Sequence, residues 1–178
     1  ETMMDELRTG KVDMLPAVVD GNLVIEGLDM VDEDLIAAQD YPRNGYGYIH
    51  FVADHGPTQF TEVRQAIAYL LDRTEFTKTF TKGYGSVVHG AYGLAMREYQ
   101  VNKGQLDKLN QYSYSLDKAI EVLEAGGWTL DANDKPYSGE GIRHKKVDGK
   151  LMPLSINWAS SENNAVSDSN ITDNQTEP

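Results

Sequence analysis

The amino-acid sequence predicts an α/β fold, because segments with helical spacing of apolar residues alternate with short β-branched and aromatic segments. One helix is predicted from Thr61, its expected cap, to about Leu71. Another is predicted to follow the cap residue Ser115 and to end at Gly126-Gly127. Trp128 is then expected to fold back as a hydrophobic cap.

The clearest predicted strand covers residues 45–52, which are aromatic and β-branched. Alternation places Tyr46 and Tyr48 on one face of this strand. Glycines at 45 and 47 indicate that another part of the molecule approaches the backbone closely. Further strands are predicted at 12–15, 23–25 and 151–158.

The other predicted elements are short. A helix is expected to end at Gly10, a brief helix covers 35–39, a helix begins near Thr74, and an ordered Gly- and Tyr-rich loop covers 82–100. The two amphipathic helices should bury their apolar stripes. The core residues predicted from these stripes are Val63, Ile67, Leu70, Ile120 and Leu123.

Composition narrows the possible functions. The 178 residues are 40% hydrophobic and 25% charged, as in a folded globular protein. No apolar run approaches the ~20 residues needed to cross a bilayer. The net charge of −12 disfavours nucleic acid and anionic lipid as partners. Cysteine is absent, which excludes disulfides, thiol catalysis and thiolate metal sites.

Patterns typical of enzymes are missing. His50, Asp54 and His55 could supply metal ligands, but their spacing fixes no geometry, so no metal site and no cofactor is predicted. There is no nucleophile elbow and no phosphate-binding loop, so no catalytic residue is assigned. Ten tyrosines, several beside glycine, suit either a wet binding cleft or the edge of an ordinary core. An acidic protein-interaction domain and, less favoured, a hydrolase are the alternatives.

Two motifs carry a family resemblance. Residues 60–73, FTEVRQAIAYLLDR, resemble a signature of the family 5 extracellular solute-binding proteins, the oligopeptide, dipeptide and nickel receptors of ABC importers. A Gly- and Tyr-rich loop follows in the family's order. Residues 114–128, YSLDKAIEVLEAGGW, are similar to the family's Tyr-Asp-Pro-x-Lys-Ala…Ala-Gly-Trp segment, with Ser115-Leu116 in place of Asp-Pro and Gly126 in place of Ala. A Gly-Lys-Leu strand entry at Gly149 completes the series.

The resemblance implies one lobe of a type II periplasmic-binding-protein-like receptor, which closes on its ligand like a hinged clam. Residues 1–178 would be most of the C-terminal, distal lobe, and residues 160–178 a polar, incomplete tail with sequence missing near 168–170. The implied function is non-enzymatic: binding a peptide or another small solute for an ABC permease. The implied location is extracytoplasmic, with membrane association only through a lipid anchor outside this chain, and the first lobe and export signal are expected outside this piece.

The predicted ligand-binding residues lie on the strand at 45–52 and where the strand at 151–158 ends, the usual place for ligand contacts in open α/β sheets. The resemblance implies a further role for Asp173, as the carboxylate that pairs with a peptide's α-amino group. The full set is Tyr46, Tyr48, Trp158, Ser160, Asn164 and Asp173.

Overall fold

A computed structural model describes residues 2–159, which divide into two compact units. The first unit comprises residues 2–46 and 73–109, and the second comprises residues 47–72 and 110–159. In chain order the elements are α1 (Met3–Arg8), α2 (Gly21–Asp32), a 3-10 turn (Pro57–Gln59), α3 (Thr61–Leu70), α4 (Arg73–Thr81), α5 (Arg97–Leu106), α6 (Leu116–Ala125), β1 (His144–Val147) and β2 (Lys150–Pro153).

Helices α1 and α2 pack against each other in the first unit. Met4 and Met30 are almost fully buried where the two helices meet, and the small residue Gly27 leaves room for the Met4 side chain. As predicted, α1 ends just before Gly10, which adopts the left-handed conformation at φ 69°. Methionine fills such irregular interfaces readily because its side chain is unbranched.

The start of α2 corrects the prediction of a strand over 23–25. The Asp20 side chain accepts hydrogen bonds from the backbone N–H groups of Asn22 and Leu23, which caps a helix through the predicted strand. Gly21 lies so close to the end of α4 that an added Cβ would be 2.7 Å from the carbonyl carbon of Thr81. Capping and packing thus outweigh the β propensity of three apolar residues.

A close backbone contact in the first unit confirms part of the glycine prediction. Gly93 is buried against the backbone of Gly45, and an added Cβ at Gly93 would lie 2.5 Å from the Gly45 carbonyl oxygen. Gly47 has no such neighbour, so the prediction was wrong there. The predicted loop over 82–100 was also too long, because α5 begins within it at Arg97.

The second unit is built on the packing of α3 against α6. Both predicted helices are present, and Ser115 caps α6 by accepting a hydrogen bond from the Lys118 N–H at 3.2 Å. Phe60, rather than Thr61, occupies the cap position of α3. The residues buried between the helices are Val63, Ala66, Ala119, Leu123 and Trp128.

The predicted core was correct in part. Val63 and Leu123 are buried, and Ile67 packs against the core as a half-buried residue. Ile120 is also half-buried. Leu70 was placed wrongly: it is the last residue of α3 and is 39% exposed.

A Schellman turn closes α6 and directs Trp128 into the core. The Trp128 N–H donates to the Leu123 carbonyl at 3.0 Å, and the Gly127 N–H donates to the Glu124 carbonyl at 2.9 Å. Gly127 takes the left-handed conformation that this motif requires, at φ 86°. Trp128 is completely buried, which confirms the prediction that it folds back as a hydrophobic cap.

The two strands form an antiparallel hairpin. His144 pairs with Pro153 and Val147 with Lys150, across a two-residue Asp148-Gly149 turn in which both φ angles are positive. These angles and this dipeptide are typical of a type I′ turn.

The other predicted extended segments are not strands in the structure. Residues 45–52 and 12–15 have no strand assignment, β2 ends at Pro153 instead of continuing to 158, and residues 35–39 are not helical. A strand exists only when its backbone groups pair with a neighbour, and the alternation of side chains does not supply that neighbour.

An ion pair beside Trp128 joins α3 to β1. Lys145 Nζ lies 2.8 Å from Glu62 Oε1 and 4.1 Å from the centre of the Phe60 ring. Partial burial raises the pKa of Glu62, but the hydrogen bond and charge of Lys145 outweigh it, so the pKa lies below its ordinary value. The indole N–H of Trp128 is buried beside this ion pair and makes no hydrogen bond among residues 2–159.

We expect Gly126→Ala to destabilise the protein by about 1–3 kcal/mol, because the new Cβ would lie 2.2 Å from Glu62 Cγ and force the Glu62 side chain away from Lys145. Gly126 has helical backbone angles, φ −78° and ψ −2°, so alanine itself is not strained there. In a Glu62→Ala background the same change should therefore stabilise by about 0.4–1 kcal/mol. Urea unfolding of the wild type, the two single variants and the double variant measures both values, and an equal effect in the two backgrounds would contradict the contact.

Candidate functional site

The extended segment 47–52 presents an exposed aromatic surface in the second unit. Tyr48 is 65% exposed, and its ring lies against the imidazole of His50, with centroids 4.4 Å apart and planes inclined by 31°. Aromatic rings at the surface offer an apolar face together with a polar edge. The segment can therefore stack on a solute and hydrogen-bond to it.

Three of the six predicted site residues lie within the described residues 2–159. Tyr46 belongs to the first unit and is half-buried, whereas Tyr48 and Trp158 belong to the second. Trp158 is 44% exposed and follows the end of β2 by five residues, so it does not stand at a strand end as predicted. Ser160, Asn164 and Asp173 lie outside the described residues.

Side-chain hydrogen bonds hold the end of this segment. The Thr58 hydroxyl donates to the Val52 carbonyl at 2.7 Å. The Arg64 guanidinium donates to the carbonyls of Thr58 and Gln59, at 2.7 and 2.8 Å. These bonds connect α3 to the end of the aromatic segment.

A groove of about 290 Å³ lies along α3, on the face opposite the core. Phe51 and Tyr112 form its aromatic walls, and the helix supplies its floor. Gln65 Nε2 donates to the Tyr112 hydroxyl at 3.3 Å, which joins one wall to the floor. The lining residues are Phe51, Thr61, Arg64, Gln65, Ala68 and Tyr112.

Tyr112 lines this groove but is absent from the site residues predicted from the sequence. It has φ 44°, and the Asn110 side chain stabilises this turn by accepting a hydrogen bond from the Tyr112 N–H at 3.1 Å. Its ring packs edge-to-face on Tyr69, with centroids 5.0 Å apart. The available signal was Asn110 two residues before a tyrosine, an arrangement typical of an Asx turn.

The candidate metal ligands of this region are His50, Asp54 and His55. His55 Nδ1 lies 2.7 Å from Asp54 Oδ1, and both side chains are largely exposed. Within residues 2–159, no three His, Asp or Glu side chains are grouped so that they could hold a metal ion. The same part of the chain has no helix long and apolar enough to span a membrane.

The second unit presents groups that can make non-covalent contacts with a solute. Its exposed rings, amide and phenol groups can stack on a solute and hydrogen-bond to it. Comparison with protein families indicates the class of this protein: a solute-binding protein rather than an enzyme. The matching family is described as bacterial extracellular solute-binding proteins, family 5 Middle, and the match covers residues 1–168. The chain therefore belongs to the family 5 solute-binding proteins.

Membership of this family confirms the predicted fold class, that of type II periplasmic-binding proteins, and the predicted absence of an enzymatic role. Among solved structures, NikA from Brucella suis in complex with Fe(III)-EDTA is similar, with 26% sequence identity and a TM-score of 0.49. The similarity covers 66% of this chain and 20% of NikA, so the chain spans about a fifth of that protein's length. A search of the curated proteins found no significant match.

His89, in the first unit, has an altered pKa. Partial burial and the nearby Arg73 charge lower the pKa of the imidazole below its ordinary value, and Asp107 opposes them. As the pH falls through the ordinary value of about 6.5, the unfolded chain gains a proton on His89 before the folded chain does. The free energy of unfolding therefore decreases as the pH falls from about 6.5 through the pKa that His89 has in the folded state.

We expect His89→Gln to lose less stability than the wild type between about pH 7.5 and about pH 5.5, because glutamine does not titrate. Urea unfolding at the two pH values measures the difference. The carboxylates contribute alike in both proteins and cancel in the comparison. An equal loss in variant and wild type would show that His89 titrates alike in the folded and unfolded states.

Proposed function

We propose that this chain forms part of one lobe of an extracytoplasmic receptor that binds a solute for an ABC importer. The observation that carries the proposal is the family match over residues 1–168. The exposed aromatic surface in the second unit supports it, because a receptor must present groups that touch a solute without reacting with it.

Within the second unit, we assign solute contact to Tyr48 and Trp158. Both are large aromatic side chains that remain substantially exposed, at 65% and 44%. Burying such rings against a ligand removes apolar area from water at a small entropic cost, because each ring has few rotatable bonds. Tyr46, Ser160, Asn164 and Asp173 complete the proposed set on the strength of the sequence prediction.

The proposed solute is a peptide. A peptide offers apolar side chains to aromatic residues and an α-amino group to a carboxylate, for which Asp173 is the proposed partner. A charge-assisted hydrogen bond of this kind is stronger than a neutral one. The proposed partner protein is the permease of an ABC importer, and the proposed location is outside the cytoplasm, with any lipid anchor lying beyond this chain.

We expect a receptor containing both lobes to show a raised melting temperature in a pool of short peptides, because ligand binding stabilises the folded state by mass action. The 178-residue chain alone should bind the same peptides weakly or not at all, since a hinged receptor encloses its ligand between two lobes. Thermal shift and calorimetry measure the two cases. A shift with a metal chelate and none with peptides would contradict the proposed solute, and micromolar-or-better binding by the isolated chain would contradict the shared site.

We expect Asp173→Asn in the two-lobed receptor to weaken peptides with a free amino terminus much more than amino-acetylated peptides. The variant removes the negative charge and leaves the ligand's ammonium group desolvated without its partner. Calorimetry with each peptide and its acetylated form measures the difference, and each acetylated form is its own control. Equal losses for both forms would reject the amine-binding role of Asp173.

A further inference from the structure

Arg64, the arginine of the family signature, uses its guanidinium group for hydrogen bonds within its own chain. Its Nη1 donates to the carbonyl oxygens of Thr58 and Gln59, and its Nη2 donates to Thr61 Oγ1 at 3.0 Å. A planar guanidinium holds several acceptors in one fixed arrangement, which a lysine ammonium does not. Arg64 therefore fixes the turn that precedes α3 relative to the helix.

Thr58 carries this constraint to the aromatic segment. Arg64 donates a hydrogen bond to the Thr58 carbonyl, and the Thr58 hydroxyl donates to the Val52 carbonyl at 2.7 Å. Residues 47–52 are neither helical nor paired in a sheet, so no regular ladder fixes them in the described structure. For a segment of this kind, side chain-to-backbone hydrogen bonds give backbone groups a partner in place of a ladder.

We infer that Arg64 and Thr58 are positioning residues for solute binding: a hydrogen-bond relay runs from α3 through Arg64 and Thr58 to Val52 and holds the segment that presents Tyr48. The inference rests on the proposed function, because it assigns the relay a role in the same site. A segment ordered before the ligand arrives loses less conformational entropy on binding, so the relay raises affinity without touching the solute.

Thr58 provides the cleaner test of the two residues. Loss of Arg64 would release three acceptors at once and disturb the start of α3. Thr58→Val keeps the shape of the side chain and removes only the hydroxyl. Thr58→Ser keeps the hydroxyl and serves as the matched control.

The experiment uses the two-lobed receptor and has two readouts. Without ligand, Thr58→Val should accelerate chymotrypsin cleavage after Tyr48 and Phe51 and leave the free energy of unfolding nearly unchanged, whereas Thr58→Ser should match the wild type. With trialanine as the probe, the Thr58→Val affinity should fall about 3- to 10-fold, the effect of one lost hydrogen bond, and that of Thr58→Ser should stay within about 2-fold.

The outcomes separate the inference from the function on which it rests. Unchanged cleavage of Thr58→Val overturns the relay. Faster cleavage with unchanged trialanine affinity overturns its role in binding. A wild-type receptor that binds neither trialanine nor any other short peptide contradicts the proposed solute, and the cleavage comparison then still decides whether the relay orders the segment.

Discussion

The burial of Trp128 is the interaction on which the second unit depends. The side chain reaches the core only because α6 ends in a Schellman turn at Gly126-Gly127, which reverses the chain at one residue. Trp128 is the largest of the fully buried side chains, so its burial removes more area from water than that of any other fully buried side chain in this core. The turn and the tryptophan therefore join the end of one helix to the face of another.

This core allows α3 to serve two purposes. Val63 and Ala66 face α6, while Arg64 and Gln65 face the groove and the turn before the helix. Because the first face is fixed by packing, the second presents its polar groups in constant positions. Arrangements of this kind suit a binding protein, in which rigid elements carry residues that meet a ligand.

Sequence patterns predicted the two core helices of the second unit well and the extended segments of both units poorly. The two amphipathic helices, the cap at Ser115 and the reversal at Trp128 depend on neighbours within a few residues, so the local sequence contains the necessary information. The Asp148-Gly149 dipeptide is an equally local signal for the hairpin, which the sequence prediction did not include. In the first unit, residues 23–25 became helical because a capping aspartate and a packing partner acted together.

The sequence by itself determined the family, two helices with their ends, and the direction of Trp128, because each follows from short-range spacing and chain reversal. The tertiary structure decided which residues meet across the chain. It placed Tyr112 beside Gln65, Gly93 against Gly45, and the Thr58 hydroxyl on the Val52 carbonyl. It also left residues 45–52 without strand structure in spite of their alternating pattern. A strand needs a partner for its backbone groups, and a sequence pattern specifies a face but not the neighbour that pairs with it.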